Sequence, residues 1–256
     1  MVSYKLDIIS MNPACQVYGE IIKNYGVTHT GLVRKKNEDR FLIKEFGSES
    51  LFIAVADGMG GHAAGDRASE TVIKSLEAFD PKLQPIEDGL VESVRTSNQR
   101  IMQLTAEDRS LEGMGTTLTA AFFERQTAHW IHIGDSRLYL FRENVLVQIT
   151  DDHNYPGMLL KEGELSAEEA RVHPLGNMLM SCLGRENFEM DMGQLSLEPG
   201  DLLMLSSDGL HDTVAEAEIA SLLKHQSGLK KKLDALLSAA LAAGGRDNIT
   251  IVAAEI

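Results

Sequence analysis

Basic residues are in short supply in this chain: 24 Lys and Arg stand against 38 Asp and Glu, a formal charge of −14 at neutral pH. A surface of that sign repels polyanions, so nucleic acid and anionic lipid are excluded as expected partners, and any phosphate ligand needs local positive charge. Cysteine is rarer still, with Cys15 and Cys182 alone, too few and too far apart for a disulfide framework or a thiolate metal site. No apolar run approaches the roughly 20 residues of a membrane helix, and the short apolar patches around Lys5 and Asp7 form no signal-peptide core. A cytoplasmic chain in a reducing compartment, with no membrane insertion, is therefore expected. Internal repeats, low-complexity tracts and linkers are lacking too, and 256 residues with 43% hydrophobic content are expected to build one domain.

The first 22 residues show no clear period and are expected to form an irregular extension or an edge strand, ahead of a single domain over 23–256. Tyr25 to Val33, Arg40 to Phe46 and Leu51 to Ala56 read as strands. Ala68, Val72, Leu76 and Phe79, then Ile86, Leu90, Val94, Ile101 and Leu104, recur at helical spacing. Thr116 to Phe123, Thr127 to Ile133, Arg137 to Phe141 and Val145 to Ile149 read as an antiparallel meander with Glu143-Asn144 at a hairpin tip. Ser166 with Glu169, and Thr213 with Glu216, have capping-box spacing. Leu229, Leu233, Leu236, Leu237 and Ala240 mark a last helix that Gly244-Gly245 stops before a strand over Ile249 to Val252. Antiparallel series of strands with helices arriving in pairs predict an α+β fold, helices packed outside stacked sheets.

Chemistry concentrates where apolar runs end. Leu51 to Ala56 runs into Asp57-Gly58, Leu202 to Ser207 runs into Asp208-Gly209, and a further acid stands at Asp247-Asn248. A buried strand ending on a carboxylate, with glycine next to it for a turn or a close approach, aims a negative group at one point. Each segment taken singly also reads as an ordinary turn or cap. Carboxylates that converge without basic neighbours repel unless a cation lies between them, so a multi-carboxylate divalent-metal centre is the leading expectation.

Six segments in order, Gly31-Leu32-Val33-Arg34 with Asn37-Glu38-Asp39, Asp57-Gly58-Met59-Gly60-Gly61-His62, Gly115-Thr116-Thr117, Gly134-Asp135-Ser136-Arg137, Ser207-Asp208-Gly209 and Arg246-Asp247-Asn248, resemble the metal-dependent protein serine/threonine phosphatases of the type 2C-like, or PPM, family in their compact bacterial form. The resemblance runs from about Tyr25 to Ile256. It implies a four-layer α-β-β-α sandwich of two mainly antiparallel sheets, with two Mn²⁺ or Mg²⁺ ions at one end. It implies that Asp57 bridges the ions, that Glu38 and the Gly58 carbonyl serve one and Asp208 and Asp247 the other, with Asp39 and Asn248 in support. Asp135, with Asp208, matches the position of a weaker third ion, and equally reads as a turn between strands. An all-oxygen donor set suits hard cations, whereas zinc more often recruits Cys or His.

The implied reaction is attack on phosphorus by a hydroxide held between two ions about 3.5–4 Å apart, without a phosphoenzyme. Arg34 is the candidate for a bidentate grip on phosphate, against an ordinary ion pair with Glu38 or Asp39. For His62, protonation of the leaving oxygen stands beside orientation of a metal-bound water or a place in the glycine-rich turn. The segment 151–177 corresponds to the family's flap, which borders the substrate groove; Pro156 and Gly157 restrict helix formation at its start, and no arginine precedes Asn177. Implied partners are phosphorylated proteins and a bacterial Ser/Thr kinase whose work a monomeric enzyme opposes.

Other readings explain less. Gly58-Met59-Gly60-Gly61-His62-Ala63 fits a relaxed dinucleotide fingerprint, but Asp57 would face the pyrophosphate and Asp208 and Asp247 would have no task. A thiol phosphatase needs an arginine six positions after its cysteine, where Ile21 and Phe188 stand. A non-catalytic binding module on the same fold is the alternative, and a missing ligand would mark it. His129 and His132 lie three apart on a strand, face opposite sides and read as structural. Trp130 and the methionines read as core or groove lining.

Overall fold

The computed structural model describes residues 22–47, 50–60 and 64–256. Cys15, His62 and, apart from Ile22, the expected N-terminal extension lie outside the described residues.

The chain forms β1 (Lys23–His29), β2 (Arg40–Glu45), β3 (Ser50–Ala56) and the short β4 (Gly58–Met59), then helices α1 (Ala64–Glu77) and α2 (Ile86–Glu107). There follow β5 (Gly115–Thr116), β6 (Leu118–Glu124), β7 (Thr127–Ile133), β8 (Arg137–Arg142) and β9 (Val145–Gln148), and helices α3 (Tyr155–Glu162) and α4 (Ala167–Arg171). The last third holds β10 (Asp191–Ser196), β11 (Leu202–Ser206), α5 (Asp208–His211), α6 (Glu216–Leu223), α7 (Leu229–Ala242) and β12 (Ile249–Glu255). Two antiparallel sheets result, in the orders β1-β12-β11-β8-β9 and β10-β7-β6-β3-β2.

Strand period decides the layering. In β3, Leu51, Ile53 and Val55 face the other sheet and pack with Leu138, Leu203 and Val252, while Phe52, Ala54 and Ala56 face Val72 and Leu76 of α1 and Leu90 and Val94 of α2. A strand buried on both faces has no polar side to show, which is why Leu51 to Ala56 is an unbroken apolar run. Across the sandwich, Leu202 and Met204 turn outward to Ile219 and Leu223 of α6 and Leu233 and Leu236 of α7. Three cores separate four layers, the expected α-β-β-α order. In the first, Phe52, Phe79 and Phe122 meet with ring centroids 5.0–6.0 Å apart, and each ring so buried contributes roughly 1.5–3 kcal/mol.

Glu143 and Asn144, with φ of 50° and 66°, close the β8–β9 hairpin in the left-handed conformations that such two-residue turns require. Three expectations are corrected. The meander is two hairpins in different sheets: β6 pairs with β7 and β8 with β9, and the chain crosses between sheets at Gly134, whose φ of 105° only glycine adopts freely. Thr213 caps nothing, because its hydroxyl donates to the Gly209 and Leu210 carbonyls at 2.9 and 3.1 Å, and α6 starts after Ala215 without a side-chain cap. Pro156 and Gly157 lie inside α3, whose N-cap Asn154 accepts the Gly157 N–H at 2.9 Å; proline in a first turn loses no hydrogen bond.

The registers bring the chemistry to one end. Arg40 pairs with Ala56, Leu118 with Ile133, Arg137 with Ser206, and His29 with Ile249. Glu38, Asp57, Asp135, Asp208 and Asp247 therefore all leave their strands at the same edge of the sandwich.

Candidate metal centre

At that edge lies a cavity of about 150 Å³ walled by Glu38, Asp57, Asp135, Asp208 and Asp247, with Arg34 the one basic residue among the described lining. The main chain of Asp57 is fully engaged: its N–H donates to Thr117 Oγ1 at 3.0 Å, and its carbonyl accepts from Thr117 N–H at 2.9 Å and Thr116 Oγ1 at 2.8 Å. Thr117 Oγ1 lies 2.7 Å from Ser136 Oγ, which couples the Asp57 turn to the β7–β8 corner that carries Asp135. A Cβ at Gly58 would overlap the carbonyl oxygens of Gly65 and Glu38, so only glycine lets the loop, the α1 start and the Glu38 backbone meet there.

Asn248 fixes the opposite wall. Its Oδ1 accepts the Glu38 N–H at 2.7 Å and its Nδ2 donates to the Thr30 and Lys36 carbonyls at 2.9 Å each. One amide thus spans the loop that holds Arg34 and Glu38. Asp247 Oδ1 accepts the Asn248 N–H at 2.8 Å and Oδ2 takes Arg34 Nη2 at 2.6 Å. Asp39 is buried and does not line the cavity: Oδ2 accepts from Ser207 Oγ at 2.8 Å, and Ser207 Oγ accepts from Thr250 N–H at 2.9 Å. Asn154 Nδ2 is 3.3 Å from Asp135 Oδ2, tying the start of α3 to the site.

Electrostatically the cluster is unbalanced. Burial, then the charges of Asp39, Asp208, Asp135 and Asp247, pushes Asp57 well above the usual carboxylate range, and burial with Asp135, Asp212 and Asp247 does the same to Asp208. Asp135 rises to about 7 and Asp39 to about 6, burial being the main cause in each. Burial also raises Glu38, against the pull of Arg34. Two buried oxygens, Asp39 Oδ1 and Asp208 Oδ1, have no hydrogen-bond partner. Among the described residues no three metal-ligating side chains are closed on a single point; the carboxylates ring a cavity. Orphaned oxygens, uncompensated charge and an all-oxygen donor set fit hard divalent cations held together with water.

Arg34 partners Asp247, not Glu38 or Asp39. The sequence carries no role for Asn177 and Leu179, which also line the cavity, nor for Thr117, Ser136 and Ser207, whose hydroxyls orient the acids. Small hydroxyl residues beside a strand-end aspartate are too common to single out, and Asn177 reaches the wall only because Met178 O and Met180 N–H are bonded to Tyr155 and His153 at 3.0 and 2.8 Å. His129 and His132 are structural: His129 Nδ1 meets Glu87 at 2.8 Å, and buried His132 lies between Thr119 Oγ1 and the Asp151 carbonyl. Trp130 packs against the core between the sheets.

A carboxylate-ringed cavity at one end of stacked sheets, with a lone arginine at its mouth, defines a metal-dependent phosphohydrolase. The chain belongs to the protein phosphatase 2C family, whose sequence profile matches residues 29–249. It is 37% identical to the serine/threonine phosphatase stp of Listeria innocua over 235 residues, 89% of this chain and 93% of that protein. The crystal structure of the Mycobacterium tuberculosis serine/threonine phosphatase PstP/Ppp superposes with a TM-score of 0.85 at 36% identity, covering 92% of this chain and 99% of that one. The PstP catalytic domain in complex with two manganese ions superposes with a TM-score of 0.81 at 36% identity, covering 92% and 98%.

Proposed function

We propose that this chain removes phosphate from phosphoserine and phosphothreonine in proteins, using two Mn²⁺ or Mg²⁺ ions. The observation that carries the reading is the convergence of Glu38, Asp57, Asp208 and Asp247, from four distant segments, on one cavity whose only basic lining residue among those described is Arg34. Asp57 is assigned to both ions, Glu38 and the Gly58 carbonyl to one, Asp208 and Asp247 to the other, and Asp135 with Asp208 to a third, weaker ion. When bound, such ions supply an acidified water for in-line attack and neutralise the phosphoryl oxygens.

The chain's own residues do the rest. Arg34 holds the phosphate with a planar fork that suits two oxygens at once. Thr116 and Thr117 lock the Asp57 main chain and Asn248 locks that of Glu38, so the carboxylates are set before a ligand arrives. Asp39 supports the site through Ser207. The proton for the leaving oxygen is assigned to His62 on sequence alone. Every carboxylate of the set is present, which favours catalysis over a binding module that has kept only the fold.

Residues 23–256 are proposed to act as one phosphatase unit with 151–177 as the flap beside the cavity. No described helix is long and apolar enough to cross a membrane. The reading further places the enzyme in the cytoplasm as a monomer that opposes a bacterial Ser/Thr kinase on shared phosphoproteins. Purified protein should hydrolyse phosphothreonine peptides with Mn²⁺ and stop in EDTA; turnover that survives complete metal removal would refute the assignment.

A further inference from the structure

Among the described residues eleven large hydrophobic side chains are exposed, and six of them, Leu32, Val33, Val172, Leu175, Met178 and Met180, lie within five positions in sequence of Arg34, Asn177 or Leu179, which line the cavity. Singly exposed apolar residues are normal on any surface, whereas their gathering at the mouth of a site marks an interaction surface. Leu32 and Val33 directly precede Arg34, while Met178 and Met180 flank Leu179, which together with Asn177 forms part of the cavity wall. All six are 45–70% exposed.

These side chains stand on fixed backbone. The Leu32 N–H donates to the Gly245 carbonyl at 2.7 Å, the Met178 carbonyl accepts from Tyr155 N–H at 3.0 Å, and the Met180 N–H donates to the His153 carbonyl at 2.8 Å. Ring contact between Tyr155 and His173, centroids 5.7 Å apart, holds the stretch before Leu175 against the start of α3. These apolar groups thus lie on the two segments that supply Arg34, and Asn177 with Leu179, to the cavity wall, its two lips.

What passes between the lips follows from size. A cavity of about 150 Å³ takes a phosphoryl group and the end of its side chain, and the neighbouring residues of a protein substrate, spaced about 3.3–3.6 Å apart when extended, must lie on the rim. We propose that the lips formed by Leu32 and Val33 and by Met178 and Met180, with Val172 and Leu175 beyond, select phosphoproteins that carry aliphatic side chains within two residues of the phosphorylated Ser or Thr. The proposal rests on the phosphatase reading of the cavity. Two methionines, unbranched and adaptable, make one lip tolerant of which aliphatic residue arrives. The chain's charge of −14 disfavours acidic neighbours of the phosphoresidue.

The test compares matched phosphothreonine peptides, with Leu or Ser at the flanking positions, on the full chain with Mn²⁺, and uses p-nitrophenyl phosphate as a substrate without flanks. The wild type should favour the Leu peptide in kcat/KM by at least about fivefold, through KM, the fold-change expected for partly burying one or two aliphatic side chains. Met178→Ser/Met180→Ser and, separately, Val33→Ser should reduce that ratio below about twofold, with melting temperature and p-nitrophenyl phosphate turnover kept. Equal use of the two peptides by the wild type, a preference for Asp- or Glu-flanked peptides drawn by Lys35 and Lys36, or a ratio that survives in both variants would each overturn the proposal. So would a dimer, seen by sedimentation, that the Met178→Ser/Met180→Ser variant dissolves while the peptide ratio is unchanged. Absence of Mn²⁺-dependent turnover of any substrate, p-nitrophenyl phosphate included, would instead bring down the phosphatase reading itself.

Discussion

Arg34 Nη2 lies 2.6 Å from Asp247 Oδ2, an ion pair between residues 213 positions apart. The group assigned to phosphate is thereby held by a group assigned to metal. The pair is half open to water on the arginine side, so it adds little to stability. Its effect is local: part of the negative charge of Asp247 is neutralised, and the guanidinium waits at the cavity mouth. Partial burial works against the charge on Arg34, yet the Asp247 hydrogen bond and the charges of Asp247, Asp208 and Glu38 raise its pKa overall.

For Arg34→Ala we expect KM for a phosphothreonine peptide to rise about 10- to 100-fold, the range for losing hydrogen bonds to a charged group. Mn²⁺ affinity should be unchanged or tighter, because a competing cation leaves Asp247. Steady-state kinetics beside a calorimetric Mn²⁺ titration separates the two, and an unchanged KM would remove Arg34 from the phosphate site.

Asp57→Asn and Asp208→Asn should each lose more than about 100-fold in turnover, a larger loss than supporting residues of metal sites produce. In EDTA near neutral pH both variants should melt higher than the wild type, since a carboxyl whose pKa is raised on folding costs stability above its unfolded pKa and an amide in its place does not. Melting curves with and without Mn²⁺ check this. A variant that melts lower in EDTA would show that these carboxylates do not strain the metal-free fold.

Metal binding should expel protons. Asp57 and Asp208 are raised far above ordinary carboxylates and Asp135 to about 7, so near pH 6.5 the metal-free cluster holds protons that a divalent ion must displace. Calorimetric titrations in buffers of different ionisation enthalpy should report net release. Heats independent of buffer would mean that the cluster was already ionised.

His132 gives the acid side of the stability profile. Burial, aided by His153, lowers it to about 3 from 6.5. Between those values the unfolded chain binds a proton that the folded chain does not, so this contribution is complete above pH 6.5 and is lost as pH falls, by about 1.4 kcal/mol per pH unit. The difference in stability between wild type and His132→Gln should therefore shrink by that slope from pH 6.5 to 5 in chemical denaturation. Parallel profiles would show that His132 titrates alike in both states.

Much of the site was legible in the sequence because strand ends are. Asp57 and Asp208 each close a run buried on both faces and are followed at once by glycine, which separates them from Glu124 and Glu255, the acids that end the equally buried β6 and β12. Pairing between distant segments was not legible. Nothing local in Gly134-Asp135-Ser136 says that β7 and β8 belong to different sheets; that is decided by which faces the Leu138 and Ile133 side chains bury. The strand β10 was missed because Asp191-Met192-Gly193-Gln194 has too little apolar alternation, and it forms by pairing with β7, where Gly193 leaves room for the Trp130 ring. Thr213 with Glu216 has the right letters for a capping box, but the hydroxyl is already committed to carbonyls of the turn before it.

Diffraction from crystals grown with manganese, recorded at the manganese absorption edge, tests the account most directly. Two anomalous peaks are predicted in the cavity, both within bonding distance of Asp57, one beside Glu38 and the Gly58 carbonyl and the other beside Asp208 and Asp247. A map with no peak among these oxygens in manganese-saturated, active protein would contradict it.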